Sequence, residues 1–345
     1  SYVAREADIT AHNVTLNALS NTTVEADASN FTAAGLVAAS STNITAKGAH
    51  DNEGYIADKT DLTLSGNLNM LADNTVTARP QSKNAGFAGA VSFGSATIKT
   101  ELDSDTRAYI GKQGVISADE ITAKAKAVHT AEAAALNAGV SGLADVALLD
   151  VQVVDNGGAE IRIGARDGDG TPGTTMITST VGKIDLDADL VSNVTALTSA
   201  TSISGLGSGV DTDTSATNNA NVSGHIGSGV VVDAATNFHM QAKMLGKTDA
   251  AATSIQLTGG VSLNQSDTKS TFNPSVNITS GQDGSVNAAQ SVTILGLLNH
   301  DGENFLRFTD GYGAFGSAEG TGVGLLAAVD KTVINIFNDS SVDVA

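Results

Sequence analysis

Apolar and polar residues alternate with a period of two along most of this chain. Residues 13–16 (Asn-Val-Thr-Leu) and residues 43–46 (Asn-Ile-Thr-Ala) each place two apolar side chains on one face and two polar side chains on the other. Short runs rich in Asn, Asp, Ser and Gly separate such segments. A period of two is typical of a strand with one buried face, and it does not produce the apolar stripe of an amphipathic helix. The pattern therefore predicts an all-β protein.

Between residues 1 and 83, similar segments recur at short intervals. The segment around Val24 returns at Ile44, and the segment around Ile9 returns at Phe31. Recurrence at a nearly fixed short interval indicates stacked units, and this interval is close to one turn of a parallel β-helix. We therefore predict that residues 1–83 form short-period β-helix coils.

A longer repeat follows in residues 84–345. An apolar-Gly step closes each unit at Gly111, Gly164 and Gly227, so the residue numbers of successive steps differ by 53 and then by 63. Units of this size cannot bury a hydrophobic face alone, so they stack on their neighbours as a β-solenoid. We predict four to five such repeats, continuous with the first part. The sequence leaves open whether one repeat forms one wide coil or two narrow ones.

Residues 131–137 (Ala-Glu-Ala-Ala-Ala-Leu-Asn) are the best candidate for a helix, because Ala, Glu and Leu are good helix formers. The segments on both sides alternate with a period of two. We therefore predict a strand here.

Composition restricts which side chains can form the core and which partners the chain can bind. Aromatic residues make up 4% of the chain and there is no Trp, which predicts a thin, layered core of small apolar side chains. The net charge of −19 opposes binding to nucleic acid or anionic lipid. The sequence has no Cys and no apolar run long enough for a transmembrane helix. Because it begins with Ser1, we predict a segment of a larger protein whose targeting and anchoring parts lie elsewhere.

Several phrases resemble the repeats of large bacterial adhesins. Residues 43–46 and 61–66 are similar to the coils of filamentous-haemagglutinin-type adhesins, and residues 93–96, 106–111, 115–118 and 121–125 resemble the repeat of leukotoxin-type filamentous adhesins. The resemblance implies a right-handed parallel β-helix, export to the bacterial cell surface and a role in adhesion. It implies no active site.

The apolar-Gly step changes its preceding side chain from repeat to repeat. Tyr109 in the first repeat corresponds to Arg162 and then to His225. We therefore expect no functional side chain shared between repeats at this step.

An acidic turn at residues 166–173 (Arg-Asp-Gly-Asp-Gly-Thr-Pro-Gly) is the candidate metal site. Asp167 and Asp169 offer carboxylate oxygens, which Ca²⁺ prefers, and the glycines free the backbone carbonyls. The turn lacks the closing Glu of an EF-hand loop. The alternative is an exposed insertion between two strands.

A polysaccharide-cleaving β-helix would need grouped carboxylates and basic residues. Asp185, Asp187 and Asp189 alternate on one strand face, where three like charges are typical of a solvated surface. The chain also offers basic residues for such a site, namely Lys183, Arg162 and His225, but they do not form a cluster in the sequence. The run from Gly205 to Gly209 lacks the Lys of a phosphate-binding loop and predicts a tight corner.

These observations predict a non-enzymatic structural or adhesive segment of a giant filamentous protein on the bacterial cell surface. Its predicted partners are a surface glycan or protein of another cell, or identical neighbouring copies; nucleic acid and membrane insertion are not expected. Two alternatives remain open. One is a polysaccharide-binding or polysaccharide-cleaving β-helix, and the other is a self-assembling filament or sheath subunit.

Overall fold

The structure is a computed structural model that describes residues 1–165, 173–301 and 303–345. It is 78% strand and 1% helix, and its strands form four parallel sheets, which confirms the predicted all-β parallel β-helix built from repeats. The helical part is a single 3-10 turn at Phe308–Asp310. The strands are numbered β1 to β26 in chain order.

Sheet A contains β1 (Tyr2–Val3), β5 (Asn52–Ile56), β9 (Asp105–Ile110), β13 (Gly158–Ile163), β17 (Asn221–Ile226), β21 (Ser275–Ser280) and β26 (Ser341–Val344). Sheet B contains β2 (Asp8–Ala11), β6 (Asp61–Leu64), β10 (Val115–Ala118), β14 (Thr175–Ser179), β18 (Val230–Ala234) and β22 (Ser285–Ala288). Sheet C contains β3 (Val14–Ala34), β7 (Leu68–Ala88), β11 (Ile121–Ser141), β15 (Ile184–Ser204), β19 (Asn237–Thr258), β23 (Ser291–Leu298) and β24 (Gly313–Gly324). Sheet D contains β4 (Val37–Gly48), β8 (Val91–Leu102), β12 (Ala144–Asp155), β16 (Gly207–Asn218), β20 (Val261–Phe272) and β25 (Ala327–Asn338).

Each coil visits sheets A, B, C and D in turn, and strand pairing gives the coil length directly. Val14 pairs with Leu68, whose residue number is higher by 54, and Ile121 pairs with Ile184, whose residue number is higher by 63. One long repeat therefore forms one wide coil, and six coils stack in register. At about 4.8 Å per coil, the stack is about 29 Å tall.

The short coils predicted for residues 1–83 are wrong. β3 is one 21-residue strand, so Val24 and Phe31 lie in a single strand of one coil. This strand pairs with β7 across one wide coil, as the later strands of sheet C pair with one another. Residue 83 lies inside β7, so the first coil and the later coils form one continuous stack.

The long strands of sheet C take part in two different cores. Their first halves pack against sheets A and B around a core that includes Leu68, Ile121 and Ile184. Their second halves pack against sheet D around a second core that includes Ala133 and Val151. We call this second part, made by the C-terminal halves of the sheet C strands and by sheet D, the fin. The predicted strand at residues 131–137 is confirmed, since it lies within β11 in the fin.

Glycines make the corner at the tip of the fin. A Cβ on Gly89 would collide with the carbonyl oxygen of Gly35 in the coil before it, and Gly142 and Gly205 repeat this relationship one coil further along. The corner predicted at residues 205–209 is thus confirmed for Gly205, which lies between β15 and β16. Close backbone stacking leaves no room for a side chain.

Candidate functional sites

The predicted calcium ligands Asp167 and Asp169 lie outside the described residues. Their segment falls between the end of β13 at Ile163 and the start of β14 at Thr175.

The outer face of sheet A carries a column of aromatic and cationic side chains. Tyr2, Tyr55 and Tyr109 occupy the same register position in successive coils, and the column continues with Arg162 and His225. The ring centroids of Tyr2 and Tyr55 are 5.2 Å apart, and those of Tyr55 and Tyr109 are 4.7 Å apart with an interplanar angle of 1°. The guanidinium carbon of Arg162 lies 4.6 Å from the ring centroid of Tyr109.

Two members of this column, His225 and Tyr109, differ in chemistry. His225 Nδ1 lies 2.7 Å from the Thr279 hydroxyl and its Nε2 lies 3.0 Å from the carbonyl oxygen of Ala165. Burial, followed by the charge of Glu53, raises the pKa of Tyr109 to about 12, so its phenol stays protonated at neutral pH. Because the rings stack on one another, the ring edges and phenol groups are the parts left for an external partner.

A second column beside it is a carboxylate-rich network around Arg107. The guanidinium lies 3.0 Å from Glu53, 3.5 Å from Asp51 and 3.7 Å from Glu160, and it also contacts Asp105. Burial and the neighbouring acidic groups raise the pKa of Asp105, although Arg107 opposes this shift. One guanidinium thus holds carboxylates from three coils.

The depression at this network is small. Its lining includes Asp105, Arg107, Glu160, Asn221 and Ser223, and its volume is about 80 Å³. Small-molecule sites usually have volumes of about 300 Å³ or more. The depression can therefore accept a single polar group from a partner, but it does not enclose a sugar ring.

The outer face of sheet C contains a group of side chains that resembles a metal site in composition. Ligand atoms of Asp185, Asp187 and His239 lie within 4.8 Å of one another. Two ammonium groups already neutralise the carboxylates: Lys124 Nζ lies 2.6 Å from Asp187, and Lys183 Nζ lies 2.8 Å from Asp185. The arrangement is therefore an ion-pair cluster in which lysine side chains balance the charge of the carboxylates.

The sequence pattern singles out the aspartates of this cluster but not their partners from the neighbouring coils. Asp185 and Asp187 were expected on a solvated surface, yet their side chains are only 13% and 11% exposed. Lys124 and His239 were missed because they come from the neighbouring coils. The signal that could have found them is the repeat interval, because Lys124 and Asp187 are separated by one full repeat along the chain.

The pieces considered for polysaccharide cleavage do not come together. Arg162 and His225 lie on sheet A, whereas Lys183, Asp185 and Asp187 lie on or beside sheet C. A catalytic carboxylate pair with its basic partners needs one shared groove. Among the described residues, these groups form two separate clusters instead.

A buried polar network lies between the two cores. His129 Nδ1 is 3.1 Å from Asp155, Ser192 donates a hydrogen bond of 2.5 Å to the same carboxylate, and Asn218 donates to Ser192 at 2.9 Å. The network contains Ser, His and Asp, but the serine hydroxyl bonds Asp155 and both side chains of the His-Asp pair are fully buried. It cannot work as a nucleophile with its base, because no substrate reaches it.

Electrostatics favour the charged form of this pair. Burial alone would lower the pKa of His129, but the charge and hydrogen bond of Asp155 outweigh burial and raise it. Burial would raise the pKa of Asp155, but His129, Ser192 and the amide of Gly157 outweigh burial and lower it. The network is thus an internal ion pair of the solenoid.

The fold and these sites define the class of the protein as a repeat-built parallel β-helix. No family model matches the chain, and comparisons with curated proteins and with solved structures gave no match. In the described part of the chain, no helix has the length and apolar character needed to cross a membrane.

Proposed function

We propose that this chain is a non-enzymatic structural and adhesive segment of a giant filamentous protein on the bacterial cell surface, where it mediates attachment to another cell or to a surface. The observation that carries this proposal is the continuous pairing of the coils. Sheets A and B each run through all six coils as parallel ladders, and sheet C keeps one long strand per coil from the first coil to the fifth, after which β23 and β24 both pair with β19. A stack of this kind is stiff and adds length coil by coil.

The arrangement of charge supports a structural role. Titratable clusters at Arg107 and at Asp187 are internally paired, and the pair of His129 and Asp155 is closed to solvent. Such groups hold coils together, since their partners come from different coils. Long outer columns also offer many equivalent weak contacts, and many weak contacts along one surface give strong overall attachment.

Immunogold electron microscopy of native cells tests this proposal. An antibody raised against the purified chain should label extended fibres at the cell surface, and the label should disappear when the antibody is first absorbed with the same chain. Beads coated with the chain should in addition attach to partner cells. Label confined to the periplasm or the medium, with no bead attachment, would contradict the proposal.

The column on sheet A favours a second candidate, a polysaccharide-binding β-helix. Tyr55, Tyr109, Arg162 and the depression beside Arg107 present hydrogen-bonding groups at a spacing of one coil. An extended glycan has hydroxyl groups along its length that suit such a row. A glycan array distinguishes the two: binding that an Arg162→Ala variant loses would support this candidate, and its absence would leave the structural role.

A further inference from the structure

The tip of the fin has its polarity reversed. Inside the fin, the positions of sheet D nearest the corner are buried and polar: Ser92, Asp145, Ser208 and Ser262. The outward positions next to them are apolar, and Leu263 remains 54% exposed. Folding normally buries apolar side chains first, so a strand end that faces its polar groups inward and its apolar groups outward points to an additional apolar contact outside the fold.

This outward surface forms a continuous apolar column. It consists of Ala39, Phe93, Val146, Gly209, Leu263 and Val329, one from each coil. We call it the tip column. A parallel column from Val37 to Ala327 lies beside it, at the fin corner, and neither contains a charged residue.

We propose that two copies of this chain associate in antiparallel fashion through the tip columns of their sheets D. A two-fold axis parallel to the strands keeps each column facing the same column of the partner and reverses the order of the coils. With the axis at the third coil, Val146 faces its own copy and Phe93 faces Gly209. This association is independent of the attachment role.

The side-chain sizes in the tip column are complementary under this symmetry. Gly209 lies in a largely apolar depression of about 360 Å³ whose lining includes Val146, Leu148 and Leu263 and also the charged side chains of Asp211 and Lys331. Phe93, 36% exposed on its own molecule, would insert its ring there. The symmetry likewise places small Ala39 opposite large Leu263. A large side chain thus meets a small one wherever two different coils face each other in this column.

Charge selects a second copy as the occupant. A surface of anionic lipid would be repelled by the net charge of −19. A second copy is repelled everywhere except where both surfaces are uncharged, and the tip column with its neighbour is such a strip. Asp211 lies in the column directly beside the tip column, where the symmetry places it opposite Ser95, and the acidic column of Asp150, Asp213 and Asp267 follows further from the tip, so it limits the contact to the fin edge.

The area of the contact limits the affinity of the dimer. Five coils at about 4.8 Å and three columns at about 6.7 Å, the third being the column of Leu148 and Asp211 beside the tip column, give a footprint of about 500 Å² per copy. Two copies then bury about 1,000 Å², which is at the lower limit of specific interfaces. We therefore expect a reversible dimer that forms at micromolar concentration and tightens as salt screens the acidic columns.

Sedimentation velocity of the whole chain from 1 to 200 µM tests the proposal. Phe93→Ala should weaken dimerisation by about thirtyfold or more, because the symmetry removes the ring twice. Gly209→Phe should also weaken it by filling the depression. A Cβ at Gly209 would have Val146 as its nearest neighbour at 3.9 Å, so the fold accepts the change.

The double variant Phe93→Ala/Gly209→Phe is the decisive sample. It moves the large side chain from the second coil to the fourth, and so restores the large-to-small match and the dimer. Non-specific stickiness would instead increase with Gly209→Phe alone. Ile203→Ala, on the opposite face of the fin, is the matched control and should leave the dimer unchanged.

Circular dichroism and thermal melting confirm folding for every variant. A wild-type chain that stays monomeric at 200 µM would overturn the proposal. So would a dimer that Ile203→Ala disrupts while Phe93→Ala does not, or a double variant that associates no better than either single one.

Discussion

The ion pair between His129 and Asp155 permits a test of how the coils specify their interior. In the coil before it, the same two register positions hold Val76 and Leu102, which are both fully buried. The apolar pair therefore fits this part of the fold in an adjacent layer. We expect the double variant His129→Val/Asp155→Leu to be close to wild type in stability, whereas each single change is strongly destabilising.

The magnitudes follow from the contacts. Asp155→Leu leaves a buried imidazole without its counter-charge and removes the acceptor of Ser192, which should cost about 3–5 kcal/mol. His129→Val leaves an unpaired buried carboxylate, with a similar cost. The double variant loses both charges together, and the hydrogen bonds from Ser192 and from the amide of Gly157 remain unreplaced. Its expected cost is about 1–3 kcal/mol, so the coupling energy should be about 3 kcal/mol or more.

The pH dependence adds a second readout. The pKa of His129 is raised on folding. Its contribution to the free energy of unfolding is therefore complete below about pH 6.5, the ordinary pKa of histidine, and is lost as the pH rises through the pKa of the folded protein. The pKa of Asp155 is lowered, so its contribution is present above about 3.9 and is lost as pH falls further. The advantage of wild type over His129→Val should therefore decline at alkaline pH.

Urea unfolding followed by circular dichroism measures these quantities for the four proteins of the cycle at several pH values. The reasoning is refuted if the two single costs simply add in the double variant. It is also refuted if the stability difference between wild type and His129→Val is the same at pH 6 and at pH 9.

Three further changes probe the stack. Gly142→Ala should lower the unfolding midpoint in urea by forcing its Cβ against the carbonyl oxygen of Gly89, while Leu143→Ala beside it should have little effect. Gly246→Ala should cost about 1–3 kcal/mol, since its Cβ would lie 3.0 Å from Phe272 Cε2, and Gly246→Ala/Phe272→Leu should recover part of that loss. Burial and neighbouring aspartates raise the pKa of Asp213, so its ionisation lowers stability as pH rises through the folded value; Asp213→Asn should stabilise slightly at pH 7 and not at pH 3, which thermal melts would reveal.

The sequence was sufficient for the fold class and for the interval of the later repeats, but it left open whether one repeat forms one coil or two. Alternation with a period of two led to strands throughout, including residues 131–137, where local helix propensity pointed the other way. The Gly111 and Gly164 steps reported the true coil interval because both lie at the same corner of the helix. Repetition at a corner can be detected in the sequence, because a tight turn accepts few residue types.

The length of the first coil could not be read in the same way. β3 alternates uniformly over 21 residues, and nothing in that alternation marks the point where the strand passes from the first core to the fin. Its internal similarities, such as Val24 and Ile44, are two sides of one coil rather than successive coils.

The sites were harder to predict because their members are one coil apart. Tyr109, Arg162 and His225 were expected to share no role because their types differ, yet they stack in one column. Parallel stacking pairs a residue with its successor one full coil later, and any two compatible side chains can meet there. In a single sequence, contact between unlike residues is visible only through the repeat interval, as it is for Lys124 and Asp187.

The parallel ladders also determine how the molecule would respond to force. Hydrogen bonds between coils point along the stacking axis, so a pull distributed over a whole end coil loads every bond of that coil at once. A pull on one chain terminus loads only the last strand, and the coil peels away bond by bond. The stack therefore resists a force spread over a whole end coil far better than a force applied to one chain terminus.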